Sequence, residues 1–462
     1  MDFSELKSVH LVGIKGVGMT ALAEILRSHN IAVTGSDVAD VFITDAVLLR
    51  LGIPVTEGFS EENIHKPDLV IHSAVWTKEN NPEIIAALEK KIPLMSYPQA
   101  LGILMQQKFG IAIVGSHGKT TTTALLAYIL KEARMDPIAV VGSVANNWKS
   151  NALSGRGKYF VVEADEYQNK LQYLNPLAVI LTNVDWDHPD YFPTKESYKK
   201  VFVDFVSRIP RHGFLVACGD DAIVQNIITH ARCSVLTYGT KEINDCVVRY
   251  DAARLTPDGF LQRFTLRFDS SSVRDIEMRL PGEHNALNAT AAFLLAKKLG
   301  VSEEKIRTGI ETFSGTARRF EYKGIFHGAK LFDDYAHHPQ ELRATLHAAR
   351  QYFPTERLWA VFHPHTFSRT EALFDDFVGS FDNADTVIIL DIYASAREKK
   401  GAVSSRDLVE KINSYGVKKA VHCPTIEDAT KYLLENVESN SIVMTLGAGD
   451  VWKVHEKLKR SK

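Results

Sequence analysis

The chain has 462 residues, and at roughly 150 residues per domain this length predicts about three domains. Lys and Arg together number 54 and Asp and Glu 56; this balance argues against a nucleic-acid partner held by a large basic face, and 45% hydrophobic residues exclude a disordered chain. The cysteines are too few and too widely spaced for a disulfide scaffold or a four-thiolate zinc site: Cys218, Cys233, Cys246 and Cys423.

The amino-terminal segment MDFSELKSVH is charged where a signal peptide would be apolar. No apolar run in the chain approaches the roughly 18 residues of a membrane span. Together with the sparse cysteines, these features predict a cytoplasmic protein with no membrane partner.

The first predicted unit is a strand, a glycine turn and a helix, formed by VHLVG (9–13), GIKGVGMTA and ALAEILRSH. Further strands are expected at 31–35 and 68–73, and a helix at 82–90. Gly16-x-Gly18-x-x-Ala21, with Asp37 about 20 residues on, approximates the dinucleotide-binding fingerprint. An NAD-dependent oxidoreductase is therefore an alternative of another class, but the turn recognises a pyrophosphate, and UDP carries one just as NAD does.

The second unit begins with the strand GIAIVG (110–115) and continues through GSHGKTTTT into the helix TTTALLAYILKEA. A helix start offers free N–H groups and a positive dipole end to a phosphate. Lys119 would stand beside the β and γ phosphates, and the Thr120 hydroxyl could bind magnesium. Ile113 stands where the general P-loop has its first glycine, so the match is to a shortened GxxGKT form. The alternative is a glycine turn whose threonine only caps the helix.

Polar side chains follow the next two predicted strands, YFVVEA (159–164) and LAVILTN (177–183). The first strand ends in EADE, with Glu163 at the sheet edge that also holds the phosphate turn. The second ends in a cluster that contains Asn183, Asp185, Asp187, His188 and Asp190. Carboxylate oxygens suit the magnesium ion of a nucleoside triphosphate, so these segments predict a metal-and-phosphate pocket. Taken alone, EADE could equally be a solvated loop.

A third unit starts after FSGTARRF, with strands expected near 329–333, 357–362, 386–391 and 441–446. Short apolar strands that alternate with helices predict parallel sheets covered on both faces. We therefore expect an α/β protein whose domains span 1–107, 108–313 and 314–462.

These segments resemble the Mur ligases, the ATP-dependent amide-forming enzymes of peptidoglycan precursor synthesis. The resemblance covers essentially the whole chain and rests on six segments in order: GSHGKTTTT, EADE, TNVDWDHPD, PGEHNALNATAA (281–292), SGTARRFEYKG and DDYAHHPQE (333–341). Three further segments are similar to the branch that adds L-alanine: FHPHTFSRTEAL (362–373), DIYASARE (391–398) and GAGDVW (447–452).

The resemblance implies a Rossmann-like UDP-binding domain, a central P-loop ATPase-like domain and a Rossmann-like third domain that binds the amino acid. It implies ATP and Mg²⁺ as cofactors, UDP-N-acetylmuramate and L-alanine as small-molecule substrates, and a monomer or homodimer. The lactyl carboxylate would be activated as an acyl phosphate before the amine attacks it.

Carried over by position, the resemblance assigns roles to three sets of residues. Lys119, Glu163 and His188 would be catalytic, with Thr120, Glu163 and His188 as magnesium ligands. The nucleotide would contact Gly115, Ser116, His117, Gly118, Lys119, Thr120, Thr121, His284, Asn285, Arg319, Asp334 and His338. The substrates would contact Gly16, Val17, Gly18, Ser36, Asp37, Ser73, His365 and Arg369.

Departures from the family pattern keep a second substrate open. SYPQALGIL stands where many alanine-adding members have Arg-Ala-Glu-Met-Leu, and EADEYQNKL lacks the usual Ser-Asp after EADE. Both resemble the branch that adds a murein tripeptide to UDP-N-acetylmuramate in cell-wall recycling. Independently of these departures, a binding protein that uses its nucleotide pocket as a switch, without ligation, is an alternative of another class.

Some Mur ligases carry a carbamylated lysine four residues after a tyrosine that corresponds to Tyr198. Phe202 occupies that position here. Neighbouring lysines keep carbamylation open.

Overall fold

The computed structural model describes residues 3–256, 259–268, 273–394, 398, 401–414 and 419–461. Three α/β domains are each built on a separate β-sheet. Among these described residues, no helix has both the length and the apolar character that a membrane span requires. Short 3₁₀ segments lie at Phe3–Glu5, Glu61–Asn63 and Tyr167–Tyr173.

The first sheet is entirely parallel and has the order β3-β2-β1-β4-β5. Its strands are β1 (Ser8–Val12), β2 (Ala32–Asp37), β3 (Val55–Glu57), β4 (Leu69–His72) and β5 (Leu94–Ser96). The helices around it are α1 (Val17–Ser28), α2 (Asp45–Leu51), α3 (Pro82–Glu89) and α4 (Tyr97–Gln106). The strand order reverses at β1, so the predicted glycine turn lies where parallel sheets usually bind ligands.

The second sheet has ten strands in the order β15-β14-β13-β12-β11-β10-β6-β9-β7-β8. The strands are β6 (Phe109–Val114), β7 (Ile138–Ala145), β8 (Ser150–Ser154), β9 (Tyr159–Glu163), β10 (Ala178–Leu181), β11 (Phe214–Cys218), β12 (Ser234–Gly239), β13 (Cys246–Thr256), β14 (Gly259–Arg267) and β15 (Val273–Met278). The helices are α5 (Lys119–Glu132), α6 (Lys195–Ser207), α7 (Ala222–Ile228), α8 (Glu283–Lys298) and α9 (Glu303–Thr312). The middle strands are parallel, whereas β8 and the β13–β15 arm pair antiparallel.

The third sheet has the order β16-β17-β21-β18-β19-β20 and is parallel except for the β16–β17 hairpin. Its strands are β16 (Glu321–Phe326), β17 (Ala329–Asp334), β18 (Arg357–Phe362), β19 (Thr386–Ile389), β20 (Lys419–His422) and β21 (Ser441–Leu446). The helices are α10 (Pro339–Tyr352), α11 (Phe367–Ala372), α12 (Phe374–Val378), α13 (Ser405–Ser414), α14 (Ile426–Asn436) and α15 (Lys453–Arg460). The expected strands of this unit are present, and β16 and β20 flank them.

The antiparallel arm of the second domain reaches into the core of the third domain. Phe260, at the start of β14, lies among the rings of Phe320, Phe332, Tyr352 and Phe353, with centroid distances of 4.7 to 6.1 Å. Edge-on aromatic pairs contribute about 0.5–1.5 kcal/mol each beyond the area they bury. The second and third domains therefore share an apolar contact that is separate from any polar site.

Polar contacts join the first domain to the second. The Ser150 hydroxyl of β8 donates to Glu24 of α1, and the Asn151 amide donates to the backbone carbonyl of Val17. Arg50 donates to the carbonyl of Lys149 at 2.6 Å. The glycine turn of the first domain is thus held directly against the second sheet.

Candidate active site

The nucleotide turn between β6 and α5 requires its glycines. Gly115 and Gly118 have φ values of 133° and 79°, in the region that favours glycine. A Cβ on Gly115 would overlap the Thr182 hydroxyl, and one on Gly118 would overlap the Asn288 amide. The turn therefore brings its backbone close to neighbouring groups and places Lys119 and Thr120 at the start of a buried helix.

Lys119 is held in a polar network at this helix start. Its ammonium group donates to the carbonyls of Gly115 and Ser116 and to Glu166, the last at 3.0 Å. The Tyr198 hydroxyl contacts both Glu166 and Ser116, at 2.9 and 2.7 Å. Burial alone lowers the pKa of Lys119, but the nearby carboxylates outweigh burial and raise it, so the side chain is a cation.

Strand pairing brings the EADE segment to the nucleotide turn, as the sequence predicts. Glu163, the last residue of β9, is paired with Ile113. Its carboxylate accepts hydrogen bonds from the Thr120 hydroxyl at 2.8 Å and from the Gly142 backbone at 2.6 Å. Two oxygen-bearing side chains therefore lie side by side, in the donor chemistry that Mg²⁺ prefers.

His188 belongs to a second group of possible metal ligands. One ligand atom each of Asp165, Glu166 and His188 lies within 4.8 Å of the others. Asp165 also accepts a hydrogen bond from Lys170 at 2.5 Å. Of these three residues, the sequence analysis named only His188 as a metal ligand. The EADE segment, which contains Asp165 and Glu166, was the sequence pattern that could have indicated the other two.

His117 links the nucleotide turn to the third domain. Its Nε2 lies 3.2 Å from Asp185, its Nδ1 lies 3.3 Å from Glu341 of α10, and its ring centroid is 4.6 Å from that of His338. Burial alone lowers the pKa of His117, but the two carboxylates outweigh it and raise the pKa to about 9. At neutral pH His117 is therefore an imidazolium between two carboxylates.

Glu341 lies among histidine and arginine side chains although it faces a predicted anion site. Besides His117, it lies 3.2 Å from His337 and 3.8 Å from Arg319, and it accepts hydrogen bonds from the backbone at the start of α10. Burial opposes ionisation, but these neighbours hold the pKa of Glu341 well below its usual range. Sequence reasoning missed this residue, although a Glu at the third position of a helix is a capping pattern.

Three cavities meet around these groups. The inner cavity, about 300 Å³, lies between His117, Asn285 and Arg319. The cleft, about 640 Å³, extends from Glu163 to Val17 of the first domain and His365 of the third domain. The junction cavity, about 380 Å³, lies between the two and is bounded by Gly18, Lys119 and His188 among others.

Most of the residues singled out in the sequence line these cavities. Those in the walls are Val17, Gly18, Ser116, His117, Gly118, Lys119, Thr120, Thr121, Glu163, His188, His284, Asn285, Arg319, Asp334 and His365. The linings of these three cavities do not include Gly16, Ser36, Asp37, Ser73, Gly115, His338 and Arg369. Wall residues that were not anticipated include Tyr97, Asn288, Tyr335 and Glu341.

Two residues outside these linings, Asp37 and Ser36, hold neighbouring segments in place. Asp37 accepts hydrogen bonds from the backbone of Lys15 and Val38, at 2.7 and 2.8 Å, and the Ser36 hydroxyl donates to buried Glu83 at 2.5 Å. The glycine turn is therefore shaped from behind by these polar side chains.

In the inner cavity, burial lowers the pKa of His284 to about 4, so its ring is neutral. Asn285 donates to the Pro281 carbonyl at 2.7 Å. Burial raises the pKa of Asp334 to about 6, although it accepts backbone hydrogen bonds from Phe320 and Ala336.

Arg369 bridges the third domain to the second. Its guanidinium donates to both carboxylate oxygens of Asp187, at 2.7 and 3.2 Å, and also to the His365 carbonyl. Both ion-pair partners are almost fully buried. His365 stacks on Tyr393 with a centroid distance of 5.6 Å, and burial, with Arg369 nearby, lowers its pKa to about 3.

Comparison with known proteins decides the family. The model "Mur ligase family, catalytic domain" matches residues 8–109, "Mur ligase middle domain" matches 113–296 and "Mur ligase, glutamate ligase domain" matches 318–449. The UDP-N-acetylmuramate--L-alanine ligase of Acetivibrio thermocellus is 39% identical over 464 residues, covering 100% of this chain and 97% of that protein. This chain belongs to the Mur ligase family.

Other Mur ligases give the same result. The UDP-N-acetylmuramate--L-alanine ligase of Desulfitobacterium hafniense is 41% identical over 452 residues, covering 97% of this chain and 99% of that protein. The crystal structure of the UDP-N-acetylmuramate-alanine ligase of Thermotoga maritima matches with a TM-score of 0.83 and 26% identity over 98% of each chain. The fold of a murein peptide ligase from Psychrobacter arcticus matches with a TM-score of 0.73 and 23% identity, covering 98% of each chain. Membership favours ligation over the oxidoreductase interpretation of the glycine turn.

In this Mur ligase, Phe202 is fully buried and packs on Tyr198 at 5.2 Å. A lysine carbamate therefore cannot stand at position 202. Lys200 is exposed and pairs with Asp204 on the outside of α6. Of the DIYASARE segment, residues 395–397 lie outside the described residues.

Proposed function

We propose that this Mur ligase joins L-alanine to the lactyl carboxylate of UDP-N-acetylmuramate while ATP is converted to ADP and phosphate. Relatives with that name, 39–41% identical over nearly the whole chain, carry the proposal. The site geometry supports it, because a phosphate turn, paired oxygen ligands and a three-domain cleft lie together.

The reaction must overcome two chemical obstacles. A carboxylate is a poor acyl donor, so a carboxylate oxygen first attacks the γ-phosphorus and ADP leaves. The neutral amine then attacks the acyl carbon, phosphate leaves, and the nitrogen loses a proton. The carboxylate and the triphosphate repel each other, so positioned cations are required to bring them together.

We assign residues 1–107 to the UDP part of the substrate, 108–313 to ATP and 314–462 to the amino acid. The glycine turn after β1 would hold the pyrophosphate at the start of α1, with Gly16, Val17, Gly18, Ser36, Asp37 and Ser73 forming or supporting that site. ATP would lie in the inner cavity, where neutral His284 and Asn285 flank the base and Arg319 of the third domain faces the phosphates.

Lys119 would hold the transferring phosphate, since its ammonium lies at the helix start. Thr120 and Glu163 would bind the first Mg²⁺, and His188 the second, beside Asp165 and Glu166. When bound, Mg²⁺ would neutralise charge on the phosphates. His365 and Arg369 would line the amino-acid pocket, with Asp187 orienting the guanidinium.

We also propose the cytoplasm as the compartment, because the free cysteines Cys218, Cys233, Cys246 and Cys423 fit a reducing environment. A monomer or homodimer remains the expectation for the assembly.

The murein tripeptide is the second candidate substrate. Tyr97 and Tyr167 occupy the two segments that resemble the recycling branch, and Tyr97 lines the junction cavity. The cleft of about 640 Å³ also leaves space beyond a single alanine.

A phosphate-release assay separates these candidates. Purified protein receives UDP-N-acetylmuramate, ATP and Mg²⁺, with L-alanine in one tube and the tripeptide in another. We expect L-alanine to support turnover and Lys119→Ala to abolish phosphate release while UDP-sugar binding persists. Turnover with the tripeptide but not with L-alanine would show that the tripeptide is the amine substrate. No turnover with either amine would refute the proposed ligase function.

A further inference from the structure

We propose that the Tyr97 hydroxyl donates a hydrogen bond to the pyrophosphate of the UDP-sugar and thereby fixes this substrate between the glycine turn and the metal ligands. The proposal rests on the proposed function, because it names a further residue for the same substrate. Tyr97 lies within residues 1–107, the range assigned to the UDP part of the substrate, but it is not one of the residues named for that site above.

The position of Tyr97 is set by the connection between the first two domains. It is the first residue of α4, the helix that leads from β5 of the first sheet to β6 of the second. A reciprocal capping box between Ser96 and Gln99, followed by Pro98, fixes where this helix begins. The aromatic ring therefore projects from a defined helix start and not from a loose linker.

Tyr97 also occupies the space beside the glycine turn. A Cβ on Gly18 would lie 2.5 Å from Cζ of Tyr97 and would overlap its hydroxyl. Gly18 has no positive φ, so backbone conformation does not require glycine there, but a larger residue would have to displace the Tyr97 ring. The hydroxyl is thus in direct contact with the turn that would cradle the pyrophosphate.

Tyr97 also borders the cavity that contains the proposed reacting groups. Tyr97 lines the junction cavity together with Lys119, Thr120 and Glu163. Burial, and then the charges of Glu163 and Asp165, raise the pKa of Tyr97, which keeps the hydroxyl protonated and able to donate.

The hydroxyl has no hydrogen-bond partner among the described residues, whereas neighbouring tyrosines are satisfied. Tyr198 bonds to Ser116 and Glu166, and Tyr167 bonds to Asp190. Tyr97 is only partly buried and lines the junction cavity, so a ligand in that cavity can reach its hydroxyl. An anionic oxygen beside the glycine turn would supply that acceptor in a charge-assisted hydrogen bond.

The test is Tyr97→Phe, which removes one oxygen atom and keeps the ring that packs on Gly18. Tyr352→Phe is the matched control, because the Tyr352 hydroxyl also lacks a partner but lies in the third domain, away from the junction cavity. The dissociation constants of UDP and of UDP-N-acetylmuramate are measured by calorimetry without ATP, and steady-state kinetics follow.

We expect Tyr97→Phe to weaken both ligands about tenfold, the effect of losing a hydrogen bond to a charged group. The KM for the UDP-sugar should rise by a similar factor, with kcat and the KM for ATP nearly unchanged. The control should match the wild type. Unchanged UDP affinity in Tyr97→Phe, or an equal loss in the control, would overturn the contact.

The binding measurements separate this proposal from the proposed function. If Tyr97→Phe loses UDP affinity but the wild-type protein shows no ligation, the Tyr97 contact is supported and the proposed ligase function is refuted. If the wild-type protein shows normal ligation but Tyr97→Phe binds UDP as the wild type does, the Tyr97 contact is refuted and the ligase function is supported.

Discussion

The ion pair between His117 and Glu341 joins the nucleotide turn to the third domain, and Glu341→Gln would break it without changing the size of the side chain. The rise in the pKa of His117 from 6.5 to about 9 corresponds to about 3 kcal/mol of preferential stabilisation of the imidazolium. Asp185 and Glu341 share this stabilisation. We therefore expect Glu341→Gln to lower the pKa of His117 by roughly one unit.

The sign of the pH dependence follows from the raised pKa. The protonated form is favoured in the folded protein, so this stabilisation is complete below pH 6.5 and is lost as the pH rises through about 9. The contact between the second and third domains should weaken in the same interval. Small-angle scattering without nucleotide should show the wild-type protein expanding across that interval.

Histidine-selective NMR titration measures the pKa directly, with His117→Asn identifying the resonance. Glu371→Gln is the control, since it removes an exposed carboxylate from the same domain. A His117 resonance that titrates near 6.5 in the wild type, or one that is unaffected by Glu341→Gln, would refute the reasoning.

Three further outcomes are expected. Arg369→Lys loses the two-bond contact with Asp187, so the KM for the amino acid should rise about tenfold and far more than that for ATP; an unchanged amino-acid KM would remove Arg369 from the pocket. Because Phe202 occupies the position of the carbamylated lysine, turnover in buffer stripped of CO₂ should equal turnover in ordinary buffer. A lower turnover that added bicarbonate restores would contradict this. Gly142→Ala would place a Cβ 2.5 Å from both oxygens of Glu163, so a Mg²⁺ titration of turnover should shift upwards about tenfold, whereas Gly379→Ala should not shift it; identical titrations would exclude Glu163 as a ligand.

Local patterns were sufficient to predict the parts of the site that adjoin single strands. The glycine turn at Gly115 and the acidic end of β9 each follow a short buried strand, and parallel pairing of β6 with β9 brings them together. The α/β class and the three-domain organisation follow from the same alternation of strands and helices, and the family models and relatives confirm them.

Contacts between distant segments were not predictable in this way. Arg369 reaches Asp187 across 182 positions, and Glu341 reaches His117 from another domain. No periodicity specifies which carboxylate a given cation meets after folding. The antiparallel arm of β13, β14 and β15 was missed for a related reason, because its pairing changes the direction of a sheet that the sequence indicates as parallel.

The Phe260 contact limits how this ligase can be recombined with its relatives. A chimera that exchanges only the last third of the chain would bring a foreign aromatic pocket to a resident phenylalanine from the β14 arm. Side chains that do not fit together at this contact would destabilise the chimera even if every polar side chain were retained. An exchange meant to transfer amino-acid preference should therefore take the tip of the β14 arm and the aromatic pocket around it from the same donor enzyme.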